Sequence, residues 1–292
     1  SVDVVAVILD FAEVSMDTES GLVRAQAGAN WDDVVARSVQ LGLGGIECLS
    51  GIPGTVGAVP VQNVGAYGAE ISEVLTRVRL YNRRTDTDEW VPASDLELAY
   101  RYSNLKFTGR AVVLEVELQL NNDGLSRPLR FGQLTQNPGE RRPVAEVREE
   151  VLKLRRGKGM VLDPSDHDTW SAGSFFTNPV VDSALADAVQ AKVRASLGDA
   201  TADSMPRHPS SESDREKLSA AWLIDRAGFA KGYPGSGRAT LSTKHTLALT
   251  NRGEATAADI VDLARTIRDG VRDAFGVELV PEPVWIGLAL DK

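Results

Sequence analysis

The stretch Gly51-Ile52-Pro53-Gly54-Thr55-Val56-Gly57-Ala58-Val59-Pro60-Val61-Gln62-Asn63-Val64-Gly65-Ala66-Tyr67-Gly68 sets five glycines and two prolines among small apolar residues, with no charge. Each Gly and Pro interrupts a regular helix. Ile52, Val56, Val59, Val61 and Val64 need burial, which a solvated linker does not offer. The stretch therefore reads as a tight, buried turn whose bare backbone lies close to something. Successive backbone N–H groups in such a turn can hold an anion such as a pyrophosphate; the other reading is a packed interior turn with no ligand. It has neither the Gly-Lys-Ser/Thr of a Walker loop nor the Gly-x-Gly-x-x-Gly of a Rossmann turn.

Three further polar residues stand in constrained settings. Arg101 lies between Tyr100 and Tyr102, where a surface arginine stacked on a tyrosine is the plain reading. Ser174 lies between Gly173 and Phe175-Phe176, where a helix N-cap is the simplest role for it. It is not in a Gly-x-Ser-x-Gly elbow, so a hydrolase nucleophile is not supported. Glu282 stands between Pro281 and Pro283 beside an apolar strand, and a carboxylate so held can serve in proton transfer or simply occupy a turn. Lys153, Arg155, Arg156 and Lys158 cluster at a helix end, which suits solvated cations at a C-terminus as well as a bound phosphate. His167, His208 and His245 are scattered without metal-ligand spacing, so no metal is assigned.

The elements that must position these residues follow from periodicity. Val4 to Leu9 is a short apolar run expected to be a buried strand, and Leu22 to Ala27 a second strand. Trp31 to Leu41 is a helix with Trp31, Val34, Val35 and Val39 on one side and Asn30 as N-cap. Val74 to Tyr81 alternates as a half-exposed strand, Ser94-Asp95-Leu96 is a helical turn, and Ala111 to Leu120 is the clearest strand. Val144, Val147, Val151 and Leu154 mark a helix face. Residues 182–204 read as a mainly polar helix and connection, Met205 to Ser213 as a loop, and Leu218 to Ala227 as a short helix. Leu241 to Leu249 reads as a strand. Thr256 caps a helix with Ile260, Leu263, Ala264, Ile267, Val271 and Phe275 on its buried stripe and Gly276 as its stop. Val277 to Val280 is a last strand. The result is an α+β chain, with a domain over 1–170 and a smaller one over 171–292.

Length and composition set bounds. At 292 residues the chain has room for two domains or three. With 32 Lys and Arg against 41 Asp and Glu the net charge is −9, which argues against nucleic acid as a default partner. Cys48 is the single cysteine, so an internal disulfide and a thiolate zinc cluster are excluded. The sequence has no apolar run long enough for a membrane span and no secretory start, so a cytoplasmic protein is expected.

Taken together, the motifs decide more than any of them alone. The chain resembles the UDP-N-acetylenolpyruvoylglucosamine reductases, bacterial flavoenzymes of peptidoglycan precursor synthesis. The matching segments are the glycine-rich stretch, Tyr100-Arg101-Tyr102-Ser103, Gly173-Ser174-Phe175-Phe176-Thr177-Asn178-Pro179, Ala221-Trp222-Leu223-Ile224-Asp225 with Gly228, and Pro281-Glu282-Pro283-Val284-Trp285-Ile286-Gly287. They cover nearly the whole chain in the family's order. A likeness to actinobacterial members extends through Gly157-Lys158-Gly159-Met160-Val161-Leu162-Asp163-Pro164 and Leu241-Ser242-Thr243-Lys244-His245.

The resemblance implies a two-part, PCMH-type FAD-binding α+β region and a smaller C-terminal α+β substrate domain. FAD would lie against the backbone of Gly51, Ile52, Pro53, Gly54, Thr55 and Gly57 and of Gln62, Asn63, Gly65 and Ala66. NADPH would reduce the flavin and leave, and UDP-N-acetylglucosamine enolpyruvate would then enter the same cleft. Flavin N5 would pass a hydride to C3, and Ser174 matches the family's proton donor to C2. Arg101 and Glu282 match the pair that polarises the substrate carboxylate, while Tyr67, Lys158 and Asn178 match residues that hold the substrate, with Lys158 near the diphosphate. A monomer without nucleic-acid or membrane partners is expected.

Two departures stand out. Family members carry an N-terminal segment ending in a Gly-Gly-Gly-Ser-Asn-like turn against FAD; it is absent here, so partial coverage of a longer protein is the expectation. Where one branch has a Tyr-Gly-x-Leu loop over the substrate diphosphate, this chain has Phe131-Gly132-Gln133-Leu134, so Phe131 covers the site without a hydroxyl to donate. The competing readings are another FAD-dependent oxidoreductase of the superfamily, acting on an alcohol or hydroxy acid, and a flavin- or sugar-nucleotide-binding protein without activity. The first needs a residue for covalent flavin attachment, for which Cys48 is the nearby candidate; the second needs loss of Ser174, Arg101 or Glu282, and all three are present.

Overall fold

In the computed structural model, which describes residues 5–210 and 213–291, the chain forms two units that divide between Gly157 and Lys158. The sequence reading set the division near residue 170.

The first unit is built on an antiparallel sheet. Its strands in chain order are β1 (Val14–Met16), β2 (Leu22–Gln26), the short ladder β3 (Gly65–Ala66) with β4 (Ala69–Glu70), then β5 (Leu75–Asn82), β6 (Thr87–Pro92) and β7 (Ala111–Gln119). The main sheet has the order β1-β2-β7-β5-β6. The register of β5 on β7 shifts between Arg79 and Leu80, where Leu80 meets Val113. The buried set on β7 changes phase across that bulge, from Val113 to Val116 and Leu118. Glu117 is nonetheless nearly covered, because Arg24 and Arg77 both bond its carboxylate, with Arg77 also lying over the Trp90 ring.

One helix packs on this sheet's core and a second on a smaller cluster of its own. Helix α1 (Trp31–Gln40) starts where Asn30 accepts the Asp33 N–H, and it buries Trp31, Val34 and Val35; the Trp31 indole donates to the Leu49 carbonyl at 3.1 Å. Helix α2 (Val144–Gly157) buries Val144, Val147 and Val151, the last two against Cys48, Leu129 and Leu134. Between them the glycine-rich stretch forms two single 3₁₀ turns, Val56–Ala58 and Pro60–Gln62. Val56 and Val59 are buried, while Ile52, Val61 and Val64 pack on the core's margin.

The second unit carries β8 (Val180–Asp182), α3 (Ser183–Leu197), α4 (Asp199–Asp203), β9 (Arg207–Pro209), β10 (Arg215–Leu218), α5 (Ala220–Arg226), β11 (Ala239–Leu241), β12 (Leu249–Asn251) and α6 (Ala257–Phe275). Its three-stranded antiparallel sheet has the order β8-β10-β9, and β11 pairs with β12. Helix α6 begins with a reciprocal capping box between Thr256 and Asp259 and stops at Gly276 in the left-handed region. Its buried stripe contains the expected Leu263, Ala264, Ile267, Val271 and Phe275, together with Val261 and Arg268, whereas the expected Ile260 is only partly covered.

Several expectations are corrected. Of Val4 to Leu9, Val4 lies outside the described residues, and Val5, Val7 and Ile8 are exposed and outside any strand. The run has hydrophobicity, but among the described residues no strand pairs with it. Leu241–Leu249 is a hairpin, with the turn between β11 and β12 inside the segment read as one strand. Val277–Val280 is not a strand, although Phe176 forms an isolated bridge with Pro281 just beyond it. The loop expected over Met205–Ser213 contains β9, which pairs with β10; Ser211 and Glu212 lie outside the described residues. Strand β6 was missed because its edge residues are mostly exposed and polar.

Candidate functional site

In the glycine-rich turn, Asn30 and Thr55 face each other in a bridge, with Trp31 N–H donating to Gly54 O and Val56 N–H to Ala29 O. This anchors the turn on both sides and leaves its outer edge exposed at Pro53, Gly54 and Thr55. Among the described residues, the N–H groups of Ile52, Gly54 and Thr55 make no hydrogen bond. Gly54 has φ +119°, and a Cβ built on it would meet nothing within 4 Å. An exposed glycine edge with uncommitted amides has the chemistry a pyrophosphate requires, so these residues fit the phosphate part of a dinucleotide.

The other glycines are needed for packing. A Cβ on Gly57 would come within 2.7 Å of Ala27 Cβ. One on Gly65 would meet Glu70 Cγ at 2.8 Å and Arg101 Nη1 at 2.9 Å. Arg101 itself donates from Nη2 to the Gly65 carbonyl and lies with Cζ 5.0 Å from the Tyr100 ring centre. The stacking read from sequence is present, and with it a bond into the glycine stretch. Asn63 is buried in a left-handed conformation, its Nδ2 donating to Glu70 Oε2 and Ala99 O and its Oδ1 accepting from Ser72 N. Its side chain therefore joins the stretch to β4 and to the segment before Arg101. Gln62 ends the second 3₁₀ turn, half-buried, and Ala66 lies in β3.

Tyr67 follows, also left-handed, with φ 53°. Phe131 presents an edge to its ring at 5.3 Å between centroids, and the Arg155 guanidinium hydrogen-bonds its hydroxyl. Burial pushes the Tyr67 phenol above its usual pKa, and Arg155 opposes that rise. The first unit thus brings together the glycine turn, Arg101, Tyr67 and Phe131.

Lys158, Ser174, Asn178 and Glu282 belong to the second unit. Ser174 follows Gly173, whose φ is +80°, and enters an extended segment. No helix starts there, so the N-cap reading is corrected. Phe175 N–H donates to Leu247 O, Glu282 N–H to Phe175 O, and Thr177 N–H to Val280 O. Ser174 and Glu282 are therefore carried on paired neighbouring segments. Both are half-buried, and the Ser174 hydroxyl makes no hydrogen bond among the described residues. Asn178 Oδ1 accepts the Ala220 N–H at 3.0 Å, which fixes the amide and turns its NH₂ away as a donor.

Lys158 begins a loop that is tied down farther along. Asp168 accepts from Thr243 N, Thr243 Oγ1 and Arg252 Nη1, and Lys244 Nζ bonds Asp166 Oδ2 at 2.5 Å. Gly159 is required here because a Cβ would lie 2.9 Å from the Asp168 carbonyl. Burial, with Lys158 and Lys231 nearby, pushes the His245 imidazole down to about 4.

Cys48 is buried, and burial with Glu47 and Glu73 nearby pushes its thiol up to about 12. A covered, protonated thiol is unsuited to nucleophilic attachment of a flavin. Among the described residues no group of His, Cys, Asp and Glu is gathered to hold a metal, and no helix is long and apolar enough to cross a membrane.

Arg155 stands in the sequence only as one of a basic cluster with Lys153, Arg156 and Lys158. A signal was present: Arg155 lies four residues beyond buried Val151, on the inward stripe of α2.

Residues 163–286 match the family model described as UDP-N-acetylenolpyruvoylglucosamine reductase, C-terminal domain, and residues 2–86 match the FAD binding domain. UDP-N-acetylenolpyruvoylglucosamine reductase 2 of Corynebacterium glutamicum is 64% identical over 99% of this chain and 79% of its own length. The UDP-N-acetylenolpyruvoylglucosamine reductase of Mycobacterium marinum is 56% identical over 93% of this chain and 74% of its own. Among solved structures, UDP-N-acetylenolpyruvylglucosamine reductase from Thermus caldophilus aligns with a TM-score of 0.57 at 25% identity, covering 92% of this chain and 73% of that one.

Proposed function

The chain belongs to the UDP-N-acetylenolpyruvoylglucosamine reductase family, and from that premise we propose that it reduces UDP-N-acetylglucosamine enolpyruvate to UDP-N-acetylmuramate at the expense of NADPH. FAD, when bound, supplies the hydride that ends on C3 of the enolpyruvyl group. The edge Ile52–Thr55, exposed at Pro53, Gly54 and Thr55, would hold its pyrophosphate, and the Gly65–Ala66 backbone would lie along its ring system.

The chain's own residues do the rest. Arg101, kept in place by the Gly65 carbonyl and the Tyr100 ring, meets the substrate carboxylate as a fixed cation. Charge that develops next to that carboxylate as C3 gains hydride is stabilised by Arg101, with Glu282 as its partner in the role, because a preorganised dipole or charge costs no reorganisation at the moment of reaction. Ser174 then gives its proton to C2 and recovers one from solvent. One hydride and one proton saturate the double bond, and no other bond breaks. Tyr67 and the Asn178 NH₂ orient the sugar nucleotide, Lys158 answers the diphosphate charge, and Phe131 shields the Tyr67 side from water.

The observation that carries this reading is the backbone pairing of the segments that carry Ser174 and Glu282, with the serine hydroxyl making no hydrogen bond among the described residues. Flavin-loaded protein should oxidise NADPH only when the enolpyruvyl sugar is supplied, with UDP-N-acetylmuramate as product by mass. NADPH oxidation that yields no such product would reject the substrate.

A further inference from the structure

Both the N–H and the carbonyl of Gly51 are claimed by side chains, the first by Asp32 of α1, which Arg148 of α2 holds, and the second by Arg155 of α2. Its N–H donates to Asp32 Oδ1 at 2.6 Å, and Asp32 is itself held by Arg148, with Nη1 at 2.7 Å from Oδ1 and Nη2 at 2.9 Å from Oδ2. Its carbonyl accepts from Arg155 Nη2 at 3.1 Å. Arg148 and Arg155 are seven residues apart, two helical turns, so α2 presents both guanidinium groups from one face. Gly51 has φ +71°, and a Cβ there would lie 2.9 Å from Leu152 Cδ2 and 3.1 Å from Arg155 Nε. The glycine is therefore what lets this face of α2 close on the turn.

Arg155 also hydrogen-bonds the Tyr67 hydroxyl. Tyr67 has a left-handed backbone that a bulky residue adopts only when its surroundings hold it there. Arg155 and the edge of Phe131 supply that hold. We propose that Arg155 is a positioning residue that joins the Gly51 turn to Tyr67, so that flavin binding at the turn and sugar-nucleotide binding at Tyr67 are energetically coupled. This rests on the ligands assigned above. A planar fork with several donors is required to serve a carbonyl and a phenol at once; a lysine ammonium would keep the charge but not the geometry.

The test is a double-mutant cycle read by equilibrium binding, with FAD followed by quenching of its fluorescence and UDP-N-acetylglucosamine enolpyruvate by perturbation of the flavin spectrum. Arg155→Lys should weaken FAD about tenfold, as loss of a charge-assisted hydrogen bond does. Tyr67→Phe should weaken the enolpyruvyl sugar about tenfold in the otherwise unaltered chain and less than about twofold beside Arg155→Lys, because the pairing is already lost. Tyr67→Phe should also weaken FAD, with no further loss in the double variant. If the two effects multiply, or FAD affinity is unchanged in Arg155→Lys, Arg155 only packs. Arg155→Met leaves a buried gap in polar partners and is replaced by the lysine variant if it does not fold. If the unaltered chain binds FAD but never the enolpyruvyl sugar, the proposed substrate falls, while the FAD arm of the cycle still decides on Arg155.

Discussion

A serine hydroxyl is a weak acid in water, so its use at C2 depends on charge developing next to it and on nothing else competing for its proton. Ser174 meets the second condition, being placed by Gly173 on an extended segment with no intramolecular hydrogen bond among the described residues. Phe131 offers a test at the same scale. Its ring covers Tyr67 but donates nothing, so Phe131→Tyr should lower KM for the enolpyruvyl sugar by about threefold to tenfold, the value of one hydrogen bond. An unchanged KM would remove the diphosphate contact from the account. His245 should stay neutral through the physiological range, with an imidazole midpoint near pH 4 by NMR; a midpoint at its ordinary 6.5 would mean that neither partial burial nor Lys158 and Lys231 acts on it. Residue types were legible in the sequence here, but their surroundings were not. Ser174 between a glycine and two phenylalanines looks like a helix cap, and only the pairing of residues 175–177 with 280–282 shows an extended chain.

At the scale of elements, the glycine-rich stretch does two kinds of work. Gly54 keeps an edge open, whereas Gly57 and Gly65 let neighbours approach. Gly65→Ala should force Arg101 from its place, lowering kcat/KM by about 10²-fold, since misplacement of a group by about 1 Å costs that much. Retained activity with Arg101 still bonded to Gly65 O in a crystal of the variant would contradict this. Helix α6 gives a stability test away from the chemistry. Thr256→Ala breaks the capping box and should cost about 1 kcal/mol, seen as a lower midpoint in urea unfolding. The helices with clear stripes and caps, α1 and α6, were readable because their signals are local. The hairpin β11–β12, strand β6 and the pairing partner of each strand were not, because they depend on contacts distant in sequence.

For the molecule as a whole, each unit has its own buried cluster, so acid should act on the two separately. In the first unit Arg77, helped by Arg24 and Thr76, holds the Glu117 carboxyl at about 2, well below its ordinary 4.5. A depressed carboxylate stabilises fully above the unfolded value, and the stabilisation is lost as pH falls from about 4.5 through 2. In the second unit the depressed His245 acts in the same sense: the unfolded chain takes up the proton first, so stability is full above 6.5 and declines as pH falls toward 4. Scanning calorimetry from pH 7 to 3 should therefore show the second unit's transition weaken first; His245→Phe should remove the component between pH 6.5 and 4, and an unchanged profile would refute it. The order of motifs from Gly51 to Gly287 made the family legible in the sequence, because a glycine that must be bare and a serine that must be free leave a fixed residue type. The link from Arg155 to Tyr67 was not, since a basic helix end reads the same whether its cations face water or protein. The central claim is proton delivery by Ser174, and rapid mixing tests it most directly. Ser174→Ala protein loaded with FAD should be reduced by NADPH within about twofold of the unaltered rate, while reoxidation by the enolpyruvyl sugar should slow by about 10²–10⁴-fold, the range of a lost general acid. Reoxidation at the unaltered rate would show that the proton comes from elsewhere.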